Sequence, residues 1–205
     1  MSYNPLIHHR NSIRLKGYDY ASPGAYFVTI VTHHPPLRGS CCHQNLDGNM
    51  NREGRRAWLF GEIVDGEMRL NDIGEIARDE WLVTPAIRPE IALDEFVIMP
   101  NHVHAIITIM DNDNGFVGAQ RRCAPTHTPK TNVQPGSIGA VIRAYKSAVT
   151  TRINQSRGTP GAPVWQRNYW EHIVRDAVEL SRIRQYIHNN PVQWEMDIKN
   201  RLLKK

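Results

Sequence analysis

The sequence predicts an α+β protein, an antiparallel sheet with helices packed on one face. Three observations carry that expectation. Runs rich in β-branched and aromatic residues, "AYFVTIVTH" from Ala25 to His33 and the two runs on either side of Pro100-Asn101, read as strands. Segments with apolar residues at helical spacing read as helices. The strands come in pairs joined by short turns, the usual connection between antiparallel neighbours, and helices lie between them.

Each element has a local reason. Ser22-Pro23-Gly24 is a turn signal that sets off the first strand from a polar, basic segment (residues 1–22). "AWLFGEIVDGEMRL" (Ala57 to Leu70) reads as a hairpin, because Asp65-Gly66 supplies two residues suited to the positive φ angles of a type I′ turn. A helix follows from Asn71 or Asp72, with Ile73, Ile76, Ala77 and Trp81 on one face. Asp72 and Glu75 resemble a capping box, and Pro85 marks its stop. "LDEFVIMP" and "HVHAIITIM" then form an antiparallel pair, with Pro100-Asn101 turning the chain.

Residues 111–136 form a long polar loop. "SIGAVIRAYKSAVTTRINQSR" (Ser137 to Arg157) is the clearest helix, with Ile138, Val141, Ile142, Tyr145, Val149 and Ile153 in one stripe. A last helix starts near Asp176, which with Glu179 can cap it. Pro191 predicts its end near Asn190, because proline disfavours helical geometry in the residue before it. A basic tail (residues 192–205) ends in "KNRLLKK". All 205 residues read as one domain.

The chain carries 25 basic and 20 acidic residues, a net charge of +5, which permits a nucleic-acid partner without demonstrating one. Cys41, Cys42 and Cys123 are odd in number, and two are adjacent, so no disulfide framework or zinc-type spacing emerges. The expectation is a reducing, cytoplasmic setting. No apolar run approaches the ~20 residues of a membrane span, and the N-terminus has no apolar signal region.

"MPNHVHAII" (Met99 to Ile107) is the stretch that asks for chemistry. Residues two apart on a strand share a face, so His102 and His104 point the same way while Val103, Ala105, Ile107 and Ile109 line the other. Unpaired polar groups are costly inside a protein, and a shared metal ion would partner both imidazoles. The bland alternative is a pair of histidines at a wet strand end, hydrogen-bonded to neighbours. Downstream, "RQYIHNNPV" places Tyr186 and Asn190 at helical neighbour spacing, beside the stripe of Leu180, Ile183 and Ile187. Two imidazoles and an amide oxygen make a mixed donor set that suits Mg²⁺ or Mn²⁺ in phosphate chemistry better than structural zinc. Asn190 also reads simply as a helix stop before proline. Tyr145 and Tyr169 are rival nucleophiles. Tyr145 lies in an apolar stripe, whereas Tyr169 sits in "WQRNYW", whose alternating aromatic and basic groups suit stacking on unpaired bases.

With "YIHNNP" downstream of it, "MPNHVHAII" resembles the paired motifs of the HUH single-strand endonucleases, and among them the one-tyrosine, REP-associated transposases. "SIRLKGYDY…GAYFVTIVTH" and "IGAVIRAYKSAVTTRIN…VWQRNYWEHIVRD" are similar to that family as well, so the resemblance covers most of the chain. It implies a ferredoxin-like or RRM-like fold. It also implies a divalent ion, Mg²⁺ or Mn²⁺, on His102, His104 and Asn190, and Tyr186 as the nucleophile. The implied reaction is attack on a DNA phosphodiester, giving a 5′-phosphotyrosine and a free 3′-OH, followed by strand transfer or rejoining.

The implied partner is single-stranded DNA with hairpin or palindromic element ends, and a homodimer is compatible. DNA contacts are expected from Arg14, Lys16, Arg143, Lys146, Arg152, Arg167 and the basic tail, with Trp165 and Tyr169 as stacking groups. Two other readings stand beside this one. The first is a non-catalytic RRM-like nucleic-acid-binding module. The second is a hydrolase that uses the histidine pair with His172 or His188 and a water nucleophile.

Overall fold

The computed structural model of the chain describes residue 15 and residues 17–33, 58–111 and 133–203, with side chains up to 196. The three cysteines, Arg14, Lys16, most of the expected loop 111–136 and the side chains at the end of the basic tail lie outside the described residues.

The strand-forming runs become β1 (Gly24–Val31), β4 (Ile91–Met99) and β5 (His102–Ile109). A fourth strand, β6 (Trp170–Ile173), completes a sheet of order β4-β5-β1-β6 in which all neighbours are antiparallel. Helix α1 (Asp72–Leu82) and the short α2 (Thr84–Ile87) separate β1 from β4, and α3 (Ile138–Arg157) separates β5 from β6. This βαββαβ order is the ferredoxin-like, RRM-like arrangement implied by the resemblance. Inserted before α1 is a hairpin, β2 (Gly61–Val64) and β3 (Glu67–Leu70). Its two turn residues take positive φ, Asp65 at 55° and Gly66 at 78°, as a type I′ turn requires.

Caps form where the sequence offers them, with one shift. The first helix is capped by Asn71, whose side-chain oxygen accepts from the backbone N–H groups of Ile73 and Gly74 at 3.0 and 2.9 Å, leaving Asp72 and Glu75 as first-turn acids. Ser137 caps α3, and Asp176 accepts from the Glu179 N–H at 2.8 Å.

The two faces of β5 divide as strand alternation dictates. Val103, Ala105, Ile107 and Ile109 join Tyr26, Val28 and Ile30 of β1 in the main core, under α1 and α3. The predicted α3 stripe is buried there in full. Each fully buried Ile or Val contributes about 1.5–3 kcal/mol relative to exposure. His102, His104 and Ile106 face the opposite side, where Ile106 meets Phe27 and Ile187.

That second face carries α4 (Ala177–Leu203), so the sheet has helices on both faces rather than on one. The expected stop at Asn190 is also corrected: α4 continues through Pro191. Proline withholds one backbone N–H and crowds the preceding turn, but tertiary contacts hold the next turn in place. Val192 lies 3.1 Å from where a Cβ on Gly66 would stand, and Trp194 packs edge-on against Trp58 with ring centroids 5.6 Å apart. The continued helix leaves Asn190 buried in mid-helix. Among the described residues, no helix is long and apolar enough to cross a membrane.

Candidate active site

His102 and His104 are both buried, and their Nε2 atoms approach to 3.0 Å. The hairpin turn and the neighbouring strand set this geometry. His102 Nδ1 lies 2.7 Å from the side-chain oxygen of Asn101, in the turn itself. His104 Nδ1 lies 2.8 Å from Thr29 Oγ1, its cross-strand partner on β1. The turn is fixed in its own right, since the Asn101 carbonyl accepts from both the N–H and the hydroxyl of Thr32. Each ring is thus held through Nδ1 with Nε2 turned towards the shared space, the orientation second-shell partners impose on ligand histidines. Burial lowers the His102 pKa to about 4. Burial, reinforced by the neighbouring His102, lowers that of His104 to about 3. Both imidazoles are therefore neutral near pH 7, the form that can donate a lone pair.

Helix α4 brings the remaining groups to the same place. Tyr186 Oη lies 3.3 Å from His104 Nε2, and its ring packs edge-on against that imidazole at 5.2 Å. Two turns on, the Trp194 ring lies 5.4 Å from the His102 ring. Asn190 is midway between these contacts at i, i+4, i+8 spacing, hence on the helix face that covers the histidine pair, and it is buried. Arg184 fixes the first half of the helix to β4 by donating to both carboxylate oxygens of Asp94, at 2.9 and 2.6 Å. All these groups belong to one chain.

The donor set fits a divalent ion that keeps open positions. Two nitrogens 3.0 Å apart match adjacent ligands on one ion with metal–nitrogen bonds of about 2.1 Å. Among the described residues no group of three His, Cys, Asp or Glu side chains comes together; a cation bound here would have the two imidazoles, and from α4 the buried Asn190 amide, as its candidate protein ligands.

The residues expected to grip DNA have varied fates. Arg143 and Arg167 are exposed. Arg152 pairs with Glu80 at 2.9 Å. Lys146 donates to the carbonyls of Gln166 and Asn168 and so braces the segment before β6 against α3; burial lowers its pKa to about 8. Trp165 lies in the main core with Phe60 and Tyr145, so it offers no open face for a base. Tyr169 is half-buried, with the Lys146 ammonium 5.9 Å from its ring centre. The rival nucleophile Tyr145 is buried and donates to the Ala77 carbonyl at 3.0 Å. His172 accompanies Glu179 rather than the histidine pair, and His188 is exposed on α4.

Sequence reasoning missed Thr29, Asn101 and Trp194, whose roles come from register and helix continuation. It also missed Trp170, which shares a strand face with His172 and stands 42% exposed. The alternation in "WEHI" was the available signal for that pair.

Comparison with known proteins places these features in context. No family model matches the chain. A protein of Haemophilus influenzae described only as uncharacterized is 40% identical over 195 residues, 95% of each chain. A second protein of that organism, described as "Putative REP-associated tyrosine transposase", is 28% identical over 97 residues, 47% of each chain. Among solved structures, a REP-associated tyrosine transposase bound to a REP hairpin matches 88% of this chain and 74% of its own, with 15% identity and a TM-score of 0.45. The chain belongs to one family with the Haemophilus influenzae protein that it matches over nearly its whole length, and it is similar to the REP-associated tyrosine transposases.

Proposed function

We propose that the protein is a single-strand DNA transposase that cuts and rejoins DNA through a covalent tyrosine intermediate. The observation that carries this reading is the position of Tyr186 Oη, 3.3 Å from His104 Nε2, beside two neutral imidazoles whose Nε2 atoms converge. A phenol at the edge of a cation-binding donor set is an arrangement for phosphoryl transfer. A divalent ion held by His102, His104 and the Asn190 amide would polarise the scissile phosphate and offset its developing charge.

The chain's own groups do the rest. The Tyr186 oxygen gives up its proton and bonds to phosphorus, and the P–O3′ bond breaks. The departing 3′ oxygen takes a proton, leaving a free 3′-OH and a 5′-phosphotyrosine. Phenolate is a better leaving group than an alkoxide, so a 3′-OH can attack the linkage and restore a phosphodiester without ATP. Tyr186 is half-exposed while the histidines are buried, which leaves the nucleophile open to DNA and the donor set sheltered. The substrate class is single-stranded DNA that folds into hairpin or palindromic ends.

The test uses such oligonucleotides with Mg²⁺ or Mn²⁺ and a denaturing gel. A protein–DNA adduct should form with the wild type and vanish in Tyr186→Phe. An adduct that persists in the variant overturns the nucleophile assignment, and cleavage with no adduct favours a water nucleophile.

A further inference from the structure

An open groove of about 660 Å³ lies beside Tyr186, between β6 and the first turns of α4. Its floor is Phe27. One wall is Trp170 and His172; the other is Ile183 and Tyr186, with Arg182 also lining it. The Trp170 and His172 rings are parallel to within 5°, with centroids 5.8 Å apart. Glu179 holds the stack: one carboxylate oxygen lies 2.7 Å from His172 Nε2, and the other accepts from the Arg175 N–H at 2.8 Å. Phe27 meets Trp170 edge-on at 5.4 Å and Tyr186 at 6.0 Å, so the two rings flank a common floor.

We infer that this groove binds an unpaired nucleobase next to the scissile phosphate, stacked on Trp170. The inference rests on the proposed function for its substrate class. Three features point to a base rather than to a merely apolar occupant. Two large aromatic rings of the groove are left exposed, the proposed nucleophile Tyr186 and, on the facing wall, Trp170, each at 42%. The Trp170 ring is held in a fixed plane by the His172–Glu179 pair, so a planar ligand binds with little ordering of the wall. A guanidinium, Arg182, lines the same groove and can meet a phosphate, while Tyr186 marks where the backbone must pass. Trp170 is a positioning residue in this scheme: by seating the base it fixes which phosphodiester reaches Tyr186 Oη. Stacking tolerates every base, so the groove sets register more than sequence.

Tryptophan emission of the wild-type protein in EDTA, where no chemistry occurs, tests the inference. The probes are an oligothymidylate and a wholly abasic strand of the same length. Oligothymidylate should quench emission, the abasic strand should not, and the quenching should be lost in Trp170→Phe. Trp170→Ala should weaken oligothymidylate binding by about 5- to 150-fold while leaving binding of the abasic strand unchanged. Equal binding of the two probes overturns the inference. So does wild-type affinity in a Trp170→Ala protein that melts normally, or full quenching in Trp170→Phe. If Trp170→Ala does not fold, the Trp170→Phe quenching result decides. An adduct that forms without any dependence on Trp170 defeats this inference alone. Trp170-dependent base binding with no adduct defeats the nucleophile reading and leaves the groove standing.

Discussion

Thr29 shows how a single side chain can tune the site through a histidine it supports. Its hydroxyl is the partner of His104 Nδ1, on a strand whose other face is core. Thr29→Val keeps the shape and removes that partner. Losing such a support typically weakens cation binding by about 10–100-fold. The expected outcome is a higher Mn²⁺ concentration for half-maximal adduct formation, with the yield recovered at saturating ion. Tyr145 gives the contrasting case. Its ring packs edge-on against Trp81 at 4.9 Å, and its hydroxyl binds a carbonyl of α1. Tyr145→Phe should cost about 0.5–1.5 kcal/mol in urea unfolding, the usual worth of one such hydrogen bond, and leave the adduct intact. That pair of results would separate a core tyrosine from a reacting one.

Helix α4 is the element on which the site depends, and its attachment is electrostatic at one end and aromatic at the other. The guanidinium of Arg184, bonded to both oxygens, holds the Asp94 carboxyl below the usual carboxylate range. A carboxylate with a lowered folded pKa adds stability that is present above its unfolded value of about 3.9 and disappears as pH falls through the folded value. Asp94→Asn should therefore lower the melting temperature at neutral pH, and the difference from wild type should close in acid as pH falls through the lowered folded value. Thermal melts of both proteins across that range check the sign. At the far end of the helix, Trp58, Trp194 and Val192 override the local tendency of Pro191 to end it. Neighbouring residues alone therefore place the helix end too early. Proline's cost is visible in a local window, whereas the hairpin that offsets it lies more than a hundred residues earlier.

At the scale of the whole molecule, the phenol and both imidazoles lie within one chain. Mixing Tyr186→Phe protein with His104→Ala protein should thus leave adduct formation absent, since neither chain has a complete set. Recovery in the mixture would mean that α4 exchanges between copies. Much of this arrangement was legible in the sequence. Alternation put His102 and His104 on one face, helical spacing put Tyr186 beside Asn190, and Asp65-Gly66 announced its turn. The register was not legible, because Thr29 becomes a neighbour of His104 only when β1 pairs with β5. Nor was the burial of Trp165, which an aromatic-rich loop does not reveal until the core beneath it exists.

The close approach of the two Nε2 atoms has a consequence for proton placement. Two lone pairs cannot face each other across 3.0 Å without something positive between them. When no cation lies there, one ring must carry its hydrogen on Nε2. His102 is the poorer choice, because its Nδ1 donates to the Asn101 amide oxygen. His104 can do so, since a hydroxyl both gives and takes: Thr29 then donates to Nδ1 and His104 points its N–H at His102. Loading the site would reverse that hydroxyl and move the hydrogen of His104 from one side of the ring to the other. The ion's arrival would then be written in the tautomer of a single histidine, a change that nitrogen-15 spectroscopy of the imidazole can follow without any DNA present.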